Sequence, residues 1–155
     1  MRSLRVLSVF VVVFAAVLGV AASAFAYVAY LSGGHKSPPV NTLAHGKVAF
    51  ELSSDGQVLQ YSIVVDNITD ATIAHIRLST NGGEGPVVAS LYGGSNTEEP
   101  SKGLRKTGVI TATDLTGPLK GQPISALLNS MRRGTAYINV STKANPPGEI
   151  GGWVR

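Results

Sequence analysis

Hydrophobic residues recur at every second position along most of this chain. Val48, Phe50 and Leu52 alternate with Lys47, Ala49 and Glu51, the period of a half-buried strand. Asp55-Gly56 marks a turn, and Leu59, Tyr61, Ile63 and Val65 form the next apolar face. The two runs predict a β-hairpin. Further strands are predicted over Thr72–Ser79, Val87–Tyr92, Gly103–Ala112, Ala136–Thr142 and Glu149–Arg155. In the first of these, Ala74, Ile76 and Leu78 point one way, and Ile73, His75 and Arg77 the other. In Gly103–Ala112 the spacing of Leu104, Thr107 and Val109 suggests a bulge. Asn81–Pro86 and Gly93–Lys102 read as loops, and Asp114–Gly121 and Asn145–Gly148 as turns. One stretch has helical spacing: Ile124, Leu127, Leu128 and Met131, with Gly134 as its stop. Seven or eight short strands spaced in this way predict an all-β fold, an antiparallel β-sandwich or barrel with one short helix. No βαβ unit and no Walker-type glycine loop occurs.

The pattern changes at the N-terminus. Met1–Arg5 carries Arg2 and Arg5, and Val6–Leu31 is interrupted only by Ser8 and Ser23. A positive start followed by an apolar run is an export signal. Ala22-Ser23-Ala24 and Ala24-Phe25-Ala26 are small-residue cleavage patterns. The segment is therefore a cleaved signal peptide or a retained transmembrane helix. Apolar character continues through Tyr27, Val28, Tyr30 and Leu31, which favours the anchor, with the two tyrosines as an interfacial belt. This divides the chain into residues 1–31 and a domain over residues 32–155, facing out of the cell with its N-terminus in the cytoplasm.

Composition narrows the chemistry. Among 155 residues there is no cysteine, which excludes disulfides, thiolate metal sites and a cysteine nucleophile. Charged residues are 14% and hydrophobic ones 44%, which excludes a disordered chain. The net charge of +4 includes Arg2 and Arg5; beyond them stand 11 Lys/Arg and 9 Asp/Glu. The basic pairs Arg105-Lys106 and Arg132-Arg133 are isolated, without the basic stripe and interleaved aromatics of a nucleic-acid surface. No nucleic-acid partner is expected.

An ordered set of short motifs resembles the chordin-type extracellular domain, CHRD. Its parts are Leu31-Ser32-Gly33 with Pro38-Pro39-Val40, Ala74-His75-Ile76 with Gly85-Pro86-Val87-Val88, and Gly108–Ala112 with Asp114–Leu119. Gly134–Val140 and Asn145–Ile150 complete it. The resemblance implies an exported immunoglobulin-like, Greek-key β-sandwich similar to the copper–zinc superoxide dismutases, without catalytic activity. Such domains occur in secreted and surface proteins, in animals within a protein that sequesters a growth factor. Four positions depart from the family pattern. A His-Ile-His motif is here His75-Ile76-Arg77, and a histidine after Asn-Val is here Ser141. Lys36 stands where Glu is common and Gly151 where Arg is common, which suggests a pair lost together.

These departures set the candidate functional face: His75, Arg77, Ser141 and Glu149. His75 reads first as a strand histidine hydrogen-bonded at the sandwich end. Its second reading is a remnant metal ligand or a group that titrates near neutrality. One histidine where three ligands are wanted, with Arg77 beside it, leaves no metal site and no cofactor expected. Arg77 and Glu149 suggest a structural salt bridge or, as a second reading, part of an anion-binding surface. A hydrolase built on Ser141 lacks a nucleophile elbow. Asn67-Ile68-Thr69 and Asn139-Val140-Ser141 are glycosylation sequons, the second inside a strand. The leading expectation is a non-catalytic extracellular binding module, displayed on a membrane helix, for a protein, glycan or cell-envelope component. The Gly93–Lys102 and Asn81–Pro86 loops are its expected contact surfaces. The alternative is a copper- or zinc-binding or redox protein with a degenerate histidine site.

Overall fold

The computed structural model describes residues 27–93 and 102–155. Residues 1–26, with the candidate signal or anchor helix, and 94–101, most of the expected long loop, lie outside the described residues. Eight strands form one antiparallel sheet: β1 (Tyr27–Ser32), β2 (His45–Leu52), β3 (Leu59–Thr69), β4 (Ala71–Thr80), β5 (Gly83–Gly93), β6 (Lys102–Ile110), β7 (Ala136–Thr142) and β8 (Ile150–Trp153). Their order is β5-β4-β7-β8-β1-β2-β3-β6. The sheet curls into a half-barrel, so that its two halves face each other as the layers of a sandwich do. The Tyr61 hydroxyl on β3 donates to the Leu91 carbonyl on β5 at 2.6 Å, joining the halves through the core. One α-helix, α1 (Ile124–Arg132), turns Ile124, Leu127 and Met131 into that core.

Local chemistry sets the connections. Gly56 takes φ +72° at the tip of the β2–β3 hairpin. Asp55 Oδ1 there accepts from Ser53 Oγ at 2.5 Å and from Gln57 N at 3.0 Å. After α1, Gly134 adopts φ +69° and stops the helix.

Three expectations are corrected. Tyr27–Leu31 is not part of an N-terminal apolar helix. It is most of β1, paired with β2 from Tyr27↔Phe50 to Ser32↔His45. Ala29 and Leu31 are buried while Tyr30 is 69% exposed, so the apolar character there belongs to a core strand. Asn81–Pro86 is not a loop either. Asn81 and Gly82 both have positive φ, the requirement of a tight two-residue hairpin turn, and β5 begins at Gly83. Pro86 is tolerated because β5 is an edge strand with no neighbour on one side. The β6 irregularity falls at its start, where pairing with β3 shifts between Val65 and Thr69, and Gly103 takes φ +75°.

Every residue of β7 is buried. Its inward residues, Ala136, Ile138 and Val140, meet the core. Its outward residues are covered by the chain itself: residues 33–44, between β1 and β2, cross the outer face as a strap. That strap builds the site.

Candidate functional site

Strand register places the outward residues in rows. His75 lies opposite Asn139, which lies opposite Gly151; Arg77 lies opposite Tyr137, which lies opposite Trp153. Gly151 leaves a gap that the Tyr137 ring fills. A Cβ at 151 would overlap the Tyr137 hydroxyl and sit 2.8 Å from the Ile138 carbonyl oxygen. Trp153 meets the Tyr137 ring edge-on, with centroids 4.9 Å apart. The phenol donates to the His35 carbonyl in the strap at 2.9 Å. Burial pushes its pKa well above the usual tyrosine value, and the nearby Glu84 carboxylate pushes the same way.

Lys36 enters this layer from the strap. Its ammonium pairs with Glu84 on β5, donates to Asn139 Oδ1 at 2.5 Å, and lies 5.5 Å from the Tyr137 ring centroid. The Asn139 amide donates to the Pro147 carbonyl at 3.1 Å. Gly148 is required beside them: its φ is +139°, and a Cβ there would lie 2.7 Å from Lys36 Nζ. Lys36 and Gly151 both lie against the Tyr137 side chain.

A second knot closes the same layer. Glu149 accepts from Thr42 Oγ1 at 2.6 Å, Thr142 Oγ1 at 2.7 Å and Asn145 Nδ2 at 3.2 Å. These donors come from the strap, from β7 and from the turn before β8. The expected Arg77–Glu149 bridge does not form. Arg77 Nη1 donates instead to the Gly85 carbonyl at 3.1 Å, because the β4–β5 hairpin brings that backbone within its reach.

The remaining candidates are distributed as follows. Ser141 is 1% exposed, and its Oγ takes a 3.4 Å bond from Asn139 Nδ2; neither water nor a substrate reaches it. The acceptor nitrogen of the Asn139 sequon is committed to those internal bonds, whereas Asn67 is exposed with φ 55°. His75 is half-buried beside Asn139, with its Nδ1 buried and without a hydrogen-bond partner. His35 lies 3.2 Å from the Gly151 carbonyl through its Nδ1, and His45 lies by Leu43. Among the described residues no three His, Cys, Asp or Glu side chains form a metal-binding group. Sequence reasoning missed Glu84, Tyr137, Thr42 and Thr142. Lys36 and Gly151 carried a signal, as departures from the family pattern.

Burial lowers the His75 pKa below 6.5, and the Arg77 charge adds to it. The folded state therefore holds fewer protons than the unfolded chain in that window, so stability is full above about pH 6.5 and declines below it. Urea midpoints from pH 7.5 to pH 5 should fall in the parent and fall less in His75→Gln. Parallel profiles would show that His75 is not the group responsible.

Around this layer, Lys36, Ser37, Pro38, Glu84, Pro147 and Gly148 line a cleft of about 470 Å³. Its floor is the Lys36–Glu84 pair and its rim is exposed backbone and proline. The arrangement is a recess whose charged groups, Lys36 and Glu84, are paired with each other.

Comparison with known proteins places this geometry. Residues 27–154 match the CHRD domain family. The chain is 32% identical to chordin of Xenopus laevis over 126 residues, which is 80% of this chain and 12% of that protein. It thus spans a small part of the relative it matches. No solved structure matches.

Proposed function

The chain belongs to the CHRD domain family across residues 27–154, and from that membership we propose an exported, non-catalytic binding module. Its partner is an extracellular protein, a glycan or a component of the cell envelope. The observation that carries this reading is the closed polar layer: Glu149 and Ser141 on the candidate face, and Asn139 beside them, are committed to bonds within the chain. Glu149 is held by three neutral donors, and Ser141 is sealed. What remains available is the rim of the cleft, to which the strap itself contributes Ser37 and Pro38.

Export follows from the N-terminal segment. With Tyr27–Leu31 assigned to β1, the apolar run is Val6–Ala26, 21 residues, which still meets the roughly 20 that a spanning helix needs. Either cleavage pattern would leave β1 whole. The segment is retained as an anchor. Among the described residues no helix is long and apolar enough to cross a membrane, so anchoring rests on residues 6–26.

A photoreactive residue at Ser37, on the cleft rim, tests the whole proposal in the full chain on intact cells, with the same residue at exposed Lys120 as control. Discrete adducts from Ser37 alone are expected, together with labelling of the chain by a membrane-impermeant reagent. No labelling of intact cells would remove export. Equal adducts from both positions, or none from Ser37, would remove the cleft as the contact surface.

A further inference from the structure

Three arginines converge at the end of the fold where the chain arrives from residues 1–26. Arg132 ends α1, and Arg133 caps it. A cation there suits the negative end of the helix, so these two alone require no ligand. Arg155 comes from a different element. Its backbone N–H donates to the Val28 carbonyl at 2.9 Å and its carbonyl accepts from the Val28 N–H at 2.8 Å, which seats it beside the start of β1. All three side chains are exposed. With Tyr27, Met131 and Val154 they line one open cleft of about 410 Å³ whose described lining contains no Asp or Glu. Arg132 donates to the neutral side chain of Asn129. Among the described residues the ion pairs involve Lys36 and Arg105, and none of these three.

Like charges gathered from separate elements repel unless an anion answers them. The position of the cleft indicates which anion. It opens at Tyr27, directly after the apolar run Val6–Ala26. We propose that this face docks the domain onto the phosphate headgroups of an anionic lipid bilayer. The proposal rests on the anchor reading of residues 6–26. Guanidinium forks match phosphate oxygens bidentately, and Tyr27 at the rim is a side chain of the kind found at headgroup depth. Tethering beside the surface makes weak individual contacts sufficient, because the docking step becomes intramolecular. The domain is thereby held in one orientation, with Arg132, Arg133 and Arg155 against the membrane.

Trp153, the single tryptophan, lies two residues before Arg155 and reports this contact. The full chain is reconstituted in vesicles of phosphatidylcholine alone, or with about one third phosphatidylglycerol. Both carry lipids brominated close to the headgroup. Stronger quenching of Trp153 is expected in the anionic vesicles. Arg132→Gln/Arg133→Gln/Arg155→Gln should lower the docking equilibrium about 100-fold, at roughly fivefold per arginine, and erase the difference. About 0.5 M salt should erase it too. Equal quenching in both vesicles, or a triple variant that still distinguishes them, overturns the proposal. So does loss of the difference on adding millimolar glycerol phosphate, which would mean that the cleft takes a soluble phosphate. A carbonate wash reads anchoring separately. A chain stripped from the vesicles defeats the anchor reading and docking with it; a retained chain indifferent to lipid charge defeats docking alone.

Discussion

Glu84→Leu is expected to destabilise the fold by about 2–3 kcal/mol, the larger of the two single effects at the buried ion pair. Lys36 is 6% exposed at its side chain and Glu84 28%. Removing the carboxylate leaves the ammonium, among the described residues, with Asn139 Oδ1 and the Tyr137 ring for company. Breaking a fully buried pair this way costs about 3–5 kcal/mol; the partial exposure of Glu84 reduces that figure through solvent screening. Lys36→Met should cost less, about 1 kcal/mol, because Glu84 can turn to water while the methionine keeps the apolar stem buried. Lys36→Met/Glu84→Leu should then be close to Lys36→Met alone, a coupling that urea unfolding of the four proteins measures. If Lys36→Met proves the costlier substitution, the ammonium is not the group that depends on its partner. The strap would then be held chiefly by the Glu149 knot.

Gly151→Ala should cost about 3 kcal/mol, the upper end of the range for overpacking. The added methyl would lie 2.5 Å from Tyr137 Cζ and 2.8 Å from the Ile138 carbonyl oxygen. The ring cannot retreat easily, being 1% exposed, packed on Trp153 and bonded to the strap. The backbone oxygen belongs to the β7–β8 ladder and is equally fixed. In a Tyr137→Ala background the same substitution should cost about half as much, since only the backbone contact remains. Thermal unfolding of the cycle checks this. Additive costs would mean that strand backbone, and not the tyrosine, sets the need for glycine at 151.

Alternation along the strands was enough to place β2, β3, β4 and β7 within a few residues, because each buries one face against the core. The same rule failed on β1. Its residues follow an apolar run without a break, so alternation was invisible and the strand merged with the export segment. It also failed on Gly83–Pro86, where glycine and proline signal a loop although an edge strand can hold both. The candidate face was legible only as a set of outward positions. That His75, Asn139 and Ser141 share one face follows from period and register. That Asn139 accepts from Lys36, and that Arg77 turns to Gly85 and not to Glu149, depends on where the strap and the hairpin run.

By itself the sequence determined the all-β class, the helix and its glycine stop, the β2–β3 hairpin turn and the outward direction of His75 and Arg77. Each depends on residues within one strand or one turn, where side-chain period and local φ preferences act directly. Only the tertiary structure decided what occupies that outer face. Lys36 meets Glu84 across 48 positions and Asn139 across 103, and Thr42 meets Glu149 across 107. A polar group finds such a partner only after the core has closed the sheet and brought the strap down over β7. Unpaired there, it would lose its hydration without compensation.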